Sequence, residues 1–178
     1  MPKLFLCLPI AVCIAGLAFS SKVAAVEGLD ACKIMQKADL ETAFAPRKFD
    51  NGTLAQTVKG SGKLAAVSDC TYTSQGGSIK ELLSVSLSVR RAPTDAAGMK
   101  PEQARLGAAA FNAPVNNVSG LGEGAYWINI GSAKSPSLQL NVFVGQREWR
   151  LFSTAGRIDI EKGVANLTQI AKATMARQ

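Results

Sequence analysis

Two cysteines outside the N-terminal segment are the residues of this chain best suited to covalent chemistry. Cys32 and Cys70 form an isolated pair, whereas Cys7 and Cys13 lie in an apolar segment at the start of the chain. A CxxC redox motif is absent, and the chain has no histidine to complete a metal site with two thiolates. In an oxidising compartment the simplest fate of such a pair is a disulfide. Closing a loop of about forty residues would stabilise the fold by about 3–4 kcal/mol in the chain-entropy model.

The residue types give little support to nucleophilic or acid–base catalysis. A Ser-His-Asp triad is impossible without histidine, and the sequence contains no SxxK motif. The 13 acidic residues are dispersed along the chain, so a carboxylate-based hydrolase would need two of them, such as Glu123 and Asp69, to meet in space. No oxygen-rich loop resembles a calcium site. The sequence therefore predicts neither a metal nor another cofactor.

Four arginines are the candidates for anion binding: Arg90, Arg91, Arg147 and Arg150. The formal net charge is +7, and it falls to +5 when the N-terminal segment with Lys3 and Lys22 is removed. A basic surplus favours anionic partners such as lipid headgroups, acidic polysaccharide or an acidic protein, but it also suits a soluble domain with a mildly basic surface. Arginines at strand ends are often simply solvated, so both interpretations stay open.

The glycine-rich stretch Gly120–Trp127 superficially resembles a nucleotide-binding loop. Such a loop follows a strand and opens a helix whose N-terminus binds phosphate. Here the glycines follow a loop and precede a predicted strand. The stretch is therefore predicted to be a turn or bulge, in which glycine supplies backbone conformations with positive φ.

The hydrophobic patterns predict helices at both ends of the chain and strands between them. Leu83, Val85, Leu87 and Val89 alternate with Ser84, Ser86, Ser88 and Arg90, which is the period of a half-buried strand. Predicted helices cover residues 29–35 with Asp30 as N-cap, 37–44, 101–111 with Leu106 and Ala110 facing inward, and 160–175 with Asp159 as N-cap. Predicted strands cover residues 69–73, 83–90, 125–130, 138–144 and 147–153, the last two joined by a two-residue turn at Gly145-Gln146. Residues 49–63 are expected to form a hairpin or loop, and residues 112–123 a loop.

The first 25 residues have the layout of a secretory signal peptide. Lys3 precedes an apolar run over residues 4–19, and Val23-Ala24-Ala25 provides small residues before a cleavage site. The run is short for a spanning helix, which makes an uncleaved anchor the less favoured alternative. Cleavage would leave residues 26–178 as a single α+β domain with a mainly antiparallel sheet flanked by helices.

Several short motifs resemble those of small exported bacterial proteins of unknown function. These motifs are DACKIM at Asp30–Met35, KADL at Lys37–Leu40, CTY at Cys70–Tyr72 and GLGEGAYW at Gly120–Trp127. Such proteins are similar to the PsbP-like fold, an α/β/α sandwich with an antiparallel sheet between helices. The resemblance implies a disulfide from the first helix to an early strand, and it implies no particular activity.

We therefore expect a periplasmic or secreted, non-enzymatic binding or accessory domain. Its partner would be an unknown protein or an anionic component of the envelope. Nucleic acid is not expected as a partner, and the membrane is expected to be contacted only through the cleaved signal peptide. The alternatives are a carboxylate-based hydrolase or polysaccharide-processing protein, and an inhibitor of a secreted toxin or enzyme.

The export interpretation predicts a defined mass for the protein recovered from the envelope. We expect a chain that starts at Val26, is two hydrogens lighter than the reduced form, and is alkylated only after reduction. Intact mass spectrometry before and after alkylation measures all three properties. A full-length mass, or two freely alkylated thiols, would contradict the interpretation.

Overall fold

A seven-stranded antiparallel sheet organises the computed structural model, which describes residues 29–60, 64–78, 81–95, 98–109 and 112–177. The predicted signal peptide, residues 1–25, lies outside these residues. The helices are α1 (Ala31–Ile34), α2 (Lys37–Ala43), α3 (Pro101–Ala109) and α4 (Ile160–Met175). The strands are β1 (Thr53–Val58), β2 (Ala66–Thr73), β3 (Leu83–Arg91), β4 (Asn116–Val118), β5 (Gly124–Asn129), β6 (Ser137–Val144) and β7 (Glu148–Gly156). Their order across the sheet is β1-β2-β3-β7-β6-β5-β4, so the predicted α+β class with an antiparallel sheet is confirmed.

Strand β3 lies in the interior of the sheet, between β2 and β7, and shows clearly how its two faces differ. Its aliphatic residues, from Leu83 to Val89 at every second position, are buried, whereas the serines between them are half-buried. Because successive side chains of a strand point to opposite faces, this alternation creates an aliphatic face and a serine face. The predicted orientation of this strand is confirmed.

Three helices cover the aliphatic face. Helix α4 begins after Asp159, whose carboxylate accepts a hydrogen bond from the backbone N–H of Lys162 at 2.9 Å, as expected for an N-cap. Leu167, Ile170 and Ala171 of this helix are buried in the same cluster as the β3 aliphatics. Helices α1 and α2 contribute further members of that cluster. No helix among the described residues is long and apolar enough to cross a membrane.

Helix α1 is held to strand β2 by three residues that alternate along the strand. Ser68 accepts a hydrogen bond from the backbone N–H of Ala31 at 2.9 Å, and Cys70 forms a disulfide with Cys32. The hydroxyl of Tyr72 donates to the carbonyl of Met35 at 2.6 Å. The disulfide predicted from the cysteine pair is therefore confirmed.

Residues 49–63 were expected to form a hairpin or loop, and β1 within them pairs antiparallel with β2. Residues 112–123 were expected to form a loop, and this prediction is wrong at β4. All six residues of β1 are exposed, so its sequence carries no buried alternation, and pairing with β2 is what makes it a strand. Strand β4 has only three residues and contains two asparagines, which are depleted in strands. A strand without a buried face leaves no periodic signal in the sequence.

The prediction that Leu106 of α3 faces inward is also wrong. Leu106 is 65% exposed, and Ala108 is the buried residue of this helix. Ala110 lies outside the described residues. Small alanines allow α3 to approach the sheet closely, whereas the longer Leu106 side chain points to solvent.

The β6–β7 hairpin has three connecting residues, not the two that were predicted. Val144 pairs with Glu148, so Gly145, Gln146 and Arg147 form the turn. Gly145 has a φ of +59°, and a three-residue turn with a residue in this region is a common alternative in hairpins.

The glycine-rich stretch forms the predicted turn that leads into β5. Gly120 and Gly122 have positive φ values of +74° and +54°. The backbone N–H of Glu123 donates to the carbonyl of Phe143 at 2.8 Å, which brings Gly122 against the same carbonyl. A Cβ at Gly122 would collide with that oxygen, whereas a Cβ at Gly120 would meet open space.

This difference predicts unequal effects of two matched substitutions. We expect Gly120→Ala to lower the free energy of unfolding by about 1–2 kcal/mol, the cost of left-handed backbone for a residue with a Cβ. Gly122→Ala should cost more, because it adds the collision with Phe143 to the same backbone strain. Denaturant unfolding of both variants measures the difference, and equal effects would contradict the packing described above.

Candidate functional site

A cleft of about 430 Å³ lies between α3 and the serine face of the sheet. Its walls come from α3 and the segment before it, and its floor comes from β5, β6 and β7. The lining is mostly apolar and aromatic, with a few amides and one lysine, and comprises Met99, Lys100, Gln103, Ala104, Gly107, Ala108, Tyr126, Ile128, Gln139, Asn141, Trp149 and Leu151. This combination and size are typical of small-molecule sites, which span about 300–1,000 Å³.

The strand register brings the floor residues together from distant parts of the chain. Asn141 pairs with Tyr126 on one side and with Leu151 on the other. In the next row Phe143 pairs with Trp149, and their rings lie parallel within 6° at a centroid distance of 6.3 Å. Phe143 is buried, and it supports the ring of Trp149, which lines the cleft.

Asn141 is the buried polar group of this floor. Its side-chain oxygen accepts a hydrogen bond from the indole N–H of Trp149 at 3.1 Å, and the residue is 3% exposed. Because the oxygen is engaged by Trp149, the amide nitrogen is the group that Asn141 offers to a ligand. The cleft therefore presents a buried amide donor, oriented by the hydrogen bond to Trp149, in addition to the amides of Gln103 and Gln139.

Tyr126 supplies a second polar atom. Burial raises the pKa of its hydroxyl above the ordinary value of 10.0, and nearby Arg105 opposes this shift. The hydroxyl is therefore protonated at neutral pH. The described residues that line the cleft include no acidic side chain.

Two of the four predicted anion-binding arginines do not contribute to a shared site. Arg90 is exposed on the serine face, where its guanidinium lies 5.1 Å from the centre of the Trp149 ring. Arg147 donates to the carbonyl of Ala92 at 3.0 Å and lies 3.8 Å from a carboxylate oxygen of Asp95. The contact with Trp149 accounts for the position of Arg90, and the contacts with Ala92 and Asp95 account for that of Arg147.

The other two predicted arginines meet on the aliphatic face. Arg91 and Arg150 both contact the buried carboxylate of Glu148, with Nε···O distances of 2.7 and 2.6 Å. Arg150 is fully buried, and it alternates along β7 with the half-buried Trp149 and Leu151. Arg90 and Arg91 were both expected to bind anions, but adjacent residues of a strand face opposite sides of the sheet.

The carboxylate pair needed for a hydrolase is not assembled. Glu123 is exposed in the turn before β5, whereas Asp69 lies on β2. Three strands separate β2 from β5, and neighbouring strands are about 4.8 Å apart, so these acids occupy distant parts of the sheet. Within the described ranges, no group of three or more Cys, Asp or Glu residues could hold a metal ion.

Comparison with known proteins gives no relative on which to base a function. No protein family matches the chain, and searches of curated proteins and of solved structures find no significant match. The resemblance to small exported proteins and to the PsbP-like fold therefore remains a prediction.

Sequence reasoning missed the cleft residues Trp149 and Asn141. A detectable signal was present in β7, where Trp149 and Leu151 alternate with Arg150 and Phe152. Large side chains at consecutive positions indicate a strand that is covered on both faces. That pattern predicts something above the serine face, but it cannot say that α3 leaves a gap there.

The two tyrosines of the chain predict an unusual alkaline titration. Burial raises the pKa of both Tyr72 and Tyr126 above 10.0, with carboxylates near Tyr72 adding to its shift. At pH 10 we expect less tyrosinate absorbance from the folded protein than from the unfolded protein. Because the folded pKa values are raised, the associated stability is complete below about pH 10 and is lost as the pH rises through the folded values.

Absorbance at alkaline pH, followed in Tyr72→Phe, isolates the tyrosine of the cleft. A midpoint at the ordinary value in this variant, while it remains folded, would contradict the burial of Tyr126.

Proposed function

We propose that this protein is an exported, periplasmic, non-enzymatic binding domain whose ligand occupies the cleft beneath α3. The ligand is an uncharged, largely apolar small molecule that carries at least one hydrogen-bond acceptor. The observation that carries the proposal is the floor of the cleft, where Asn141 is hydrogen-bonded to Trp149 beside the cluster in which α3 packs against Tyr126 and Ile128.

The chemistry of the lining supports this ligand class. Apolar and aromatic side chains favour a molecule that buries hydrophobic surface, and the Asn141 amide supplies direction through one hydrogen bond. Lys100 is the one charged residue of the lining, and it is exposed to solvent. A ligand with a net charge would therefore gain no buried partner among the described residues.

Export is supported by two independent observations. The Cys32–Cys70 disulfide is compatible with an oxidising compartment, where such bonds persist. The sequence of residues 1–25 has the layout of a secretory signal peptide. A soluble binding domain in the periplasm accommodates both features.

The enzymatic alternative gains no specific support from the cleft. A carboxylate-based hydrolase needs an acid within reach of its substrate, and the described residues that line the cleft are all non-acidic. Inhibition of a secreted toxin or enzyme is likewise without a specific supporting observation in the fold.

Blocking the cleft tests the proposal. The neutral fluorescent probe N-phenyl-1-naphthylamine becomes bright in apolar surroundings, and we expect it to bind the purified protein saturably with one site per chain. Gly107 lines the cleft, and a Cβ placed there would meet open space, so Gly107→Phe should fill the cleft without disturbing the sheet. We expect this variant to bind the probe at least about tenfold more weakly, which corresponds to about 1.4 kcal/mol.

Leu106→Phe is the matched control, because it places the same ring on the exposed side of α3. It should bind the probe as the unmodified protein does. Thermal unfolding and circular dichroism establish that both variants fold. Equal affinities for Gly107→Phe and Leu106→Phe, or binding that does not saturate, would refute the cleft as the ligand site.

A further inference from the structure

We propose a second binding site, a pocket for a compact oxyanion formed by Arg91 and Arg150 on the opposite face of the sheet from the cleft. The pocket measures about 290 Å³ and lies where α1 meets the C-terminal end of α4. It is independent of the proposed apolar ligand, since the two sites share no residue.

An unpartnered nitrogen of Arg150 is the central observation. The residue is fully buried and lines the pocket. Its Nε donates to Glu148 at 2.6 Å, and its Nη1 donates to the hydroxyl and the carbonyl of Thr174 at 3.2 and 3.4 Å. Its Nη2 is buried and has no hydrogen-bond partner among the residues that the structure describes. Buried polar groups are normally paired, and the described part of the chain supplies no acceptor for this nitrogen.

The surrounding charges favour a negative acceptor. Arg91 lies beside Arg150 and shares the single carboxylate of Glu148 with it. The other two cations at the pocket have their own acids, because Lys33 lies 3.5 Å from Asp30 and Arg177 binds Asp39. Within the described ranges, four cations at the pocket therefore face three carboxylates, and the excess positive charge lies on the Arg91–Arg150 pair. The carbonyl of Thr174 offsets part of this charge without neutralising it.

Guanidinium groups and pocket size define the ligand class. Arginine presents its N–H groups in a planar fork that matches the oxygens of carboxylate and phosphate. The pocket is at the lower limit of the range for small-molecule sites, so it suits one such group and not an extended polyanion. The inferred ligand is a small molecule that bears a carboxylate or a phosphate.

Nuclear magnetic resonance titration at constant ionic strength tests the inference. Inorganic phosphate and acetate are the two probes, and the amides of Ile34 and Gln36 report on the pocket because both residues line it. We expect these amides to shift saturably with at least one probe, while the amides of Ile128 and Leu151 in the cleft stay constant. The probe that saturates identifies which oxyanion the pocket prefers.

Two neighbouring arginines provide a matched pair of variants. Arg91→Gln and Arg90→Gln remove the same charge from adjacent positions, but only Arg91 lines the pocket. We expect Arg91→Gln to weaken binding by about tenfold or more, the effect of losing a charge-assisted hydrogen bond, and Arg90→Gln to leave it within about twofold.

Arg150→Lys keeps the buried charge beside Glu148 but removes the Nη2 donor. This variant should fold and should also lose affinity for the probe. Shifts that rise linearly without saturation, or equal losses in Arg91→Gln and Arg90→Gln, would overturn the inference and would leave Nη2 to an ordered water. Because the neutral probe of the cleft does not report on this pocket, failure here is distinguishable from failure of the proposed function.

Discussion

The two-sided character of strand β3 is the constraint on which the rest of the structure depends. Its aliphatic residues require cover, because exposed they would leave a broad hydrophobic surface, whereas its serines tolerate water. Helices α1, α2 and α4 supply the cover on the aliphatic face. On the serine face, α3 packs in a smaller cluster with Tyr126, Ile128 and Phe143. The cleft therefore follows from incomplete cover of a face that was never uniformly hydrophobic.

Strand β2 fixes the position of α1 on the aliphatic face of the sheet. A four-residue helix has little stability of its own, because nucleation costs more than so few hydrogen bonds return. Ser68, Cys70 and Tyr72 share one face of β2 and bind successive parts of α1 through a hydrogen bond, a disulfide and a tyrosine hydroxyl. Every second residue of β2 from Ser68 to Tyr72 therefore contacts a position between Ala31 and Met35. This attachment also places Lys33 and Ile34 at the arginine pocket.

Strand β7 connects the two candidate sites through consecutive residues. Trp149 belongs to the floor of the cleft, and Arg150 belongs to the oxyanion pocket on the other face. The same separation applies in β3, where Arg90 lies over Trp149 and Arg91 pairs with Glu148. Each site is consequently built from alternate positions of shared strands. A shift of one residue in register would exchange their side chains between the faces.

The sequence alone determined the elements that carry their own periodic signal. Strand β3, helix α4 and the Cys32–Cys70 pair were predicted because alternation, helical spacing and cysteine count are local properties. Tertiary structure decided everything that depends on register between distant segments. It turned residues 53–58 and 116–118 into edge strands, and it placed Leu106 in solvent. It also decided what Arg90 and Arg91 each contact, Trp149 on one face and Glu148 on the other, because those contacts depend on cross-strand pairing.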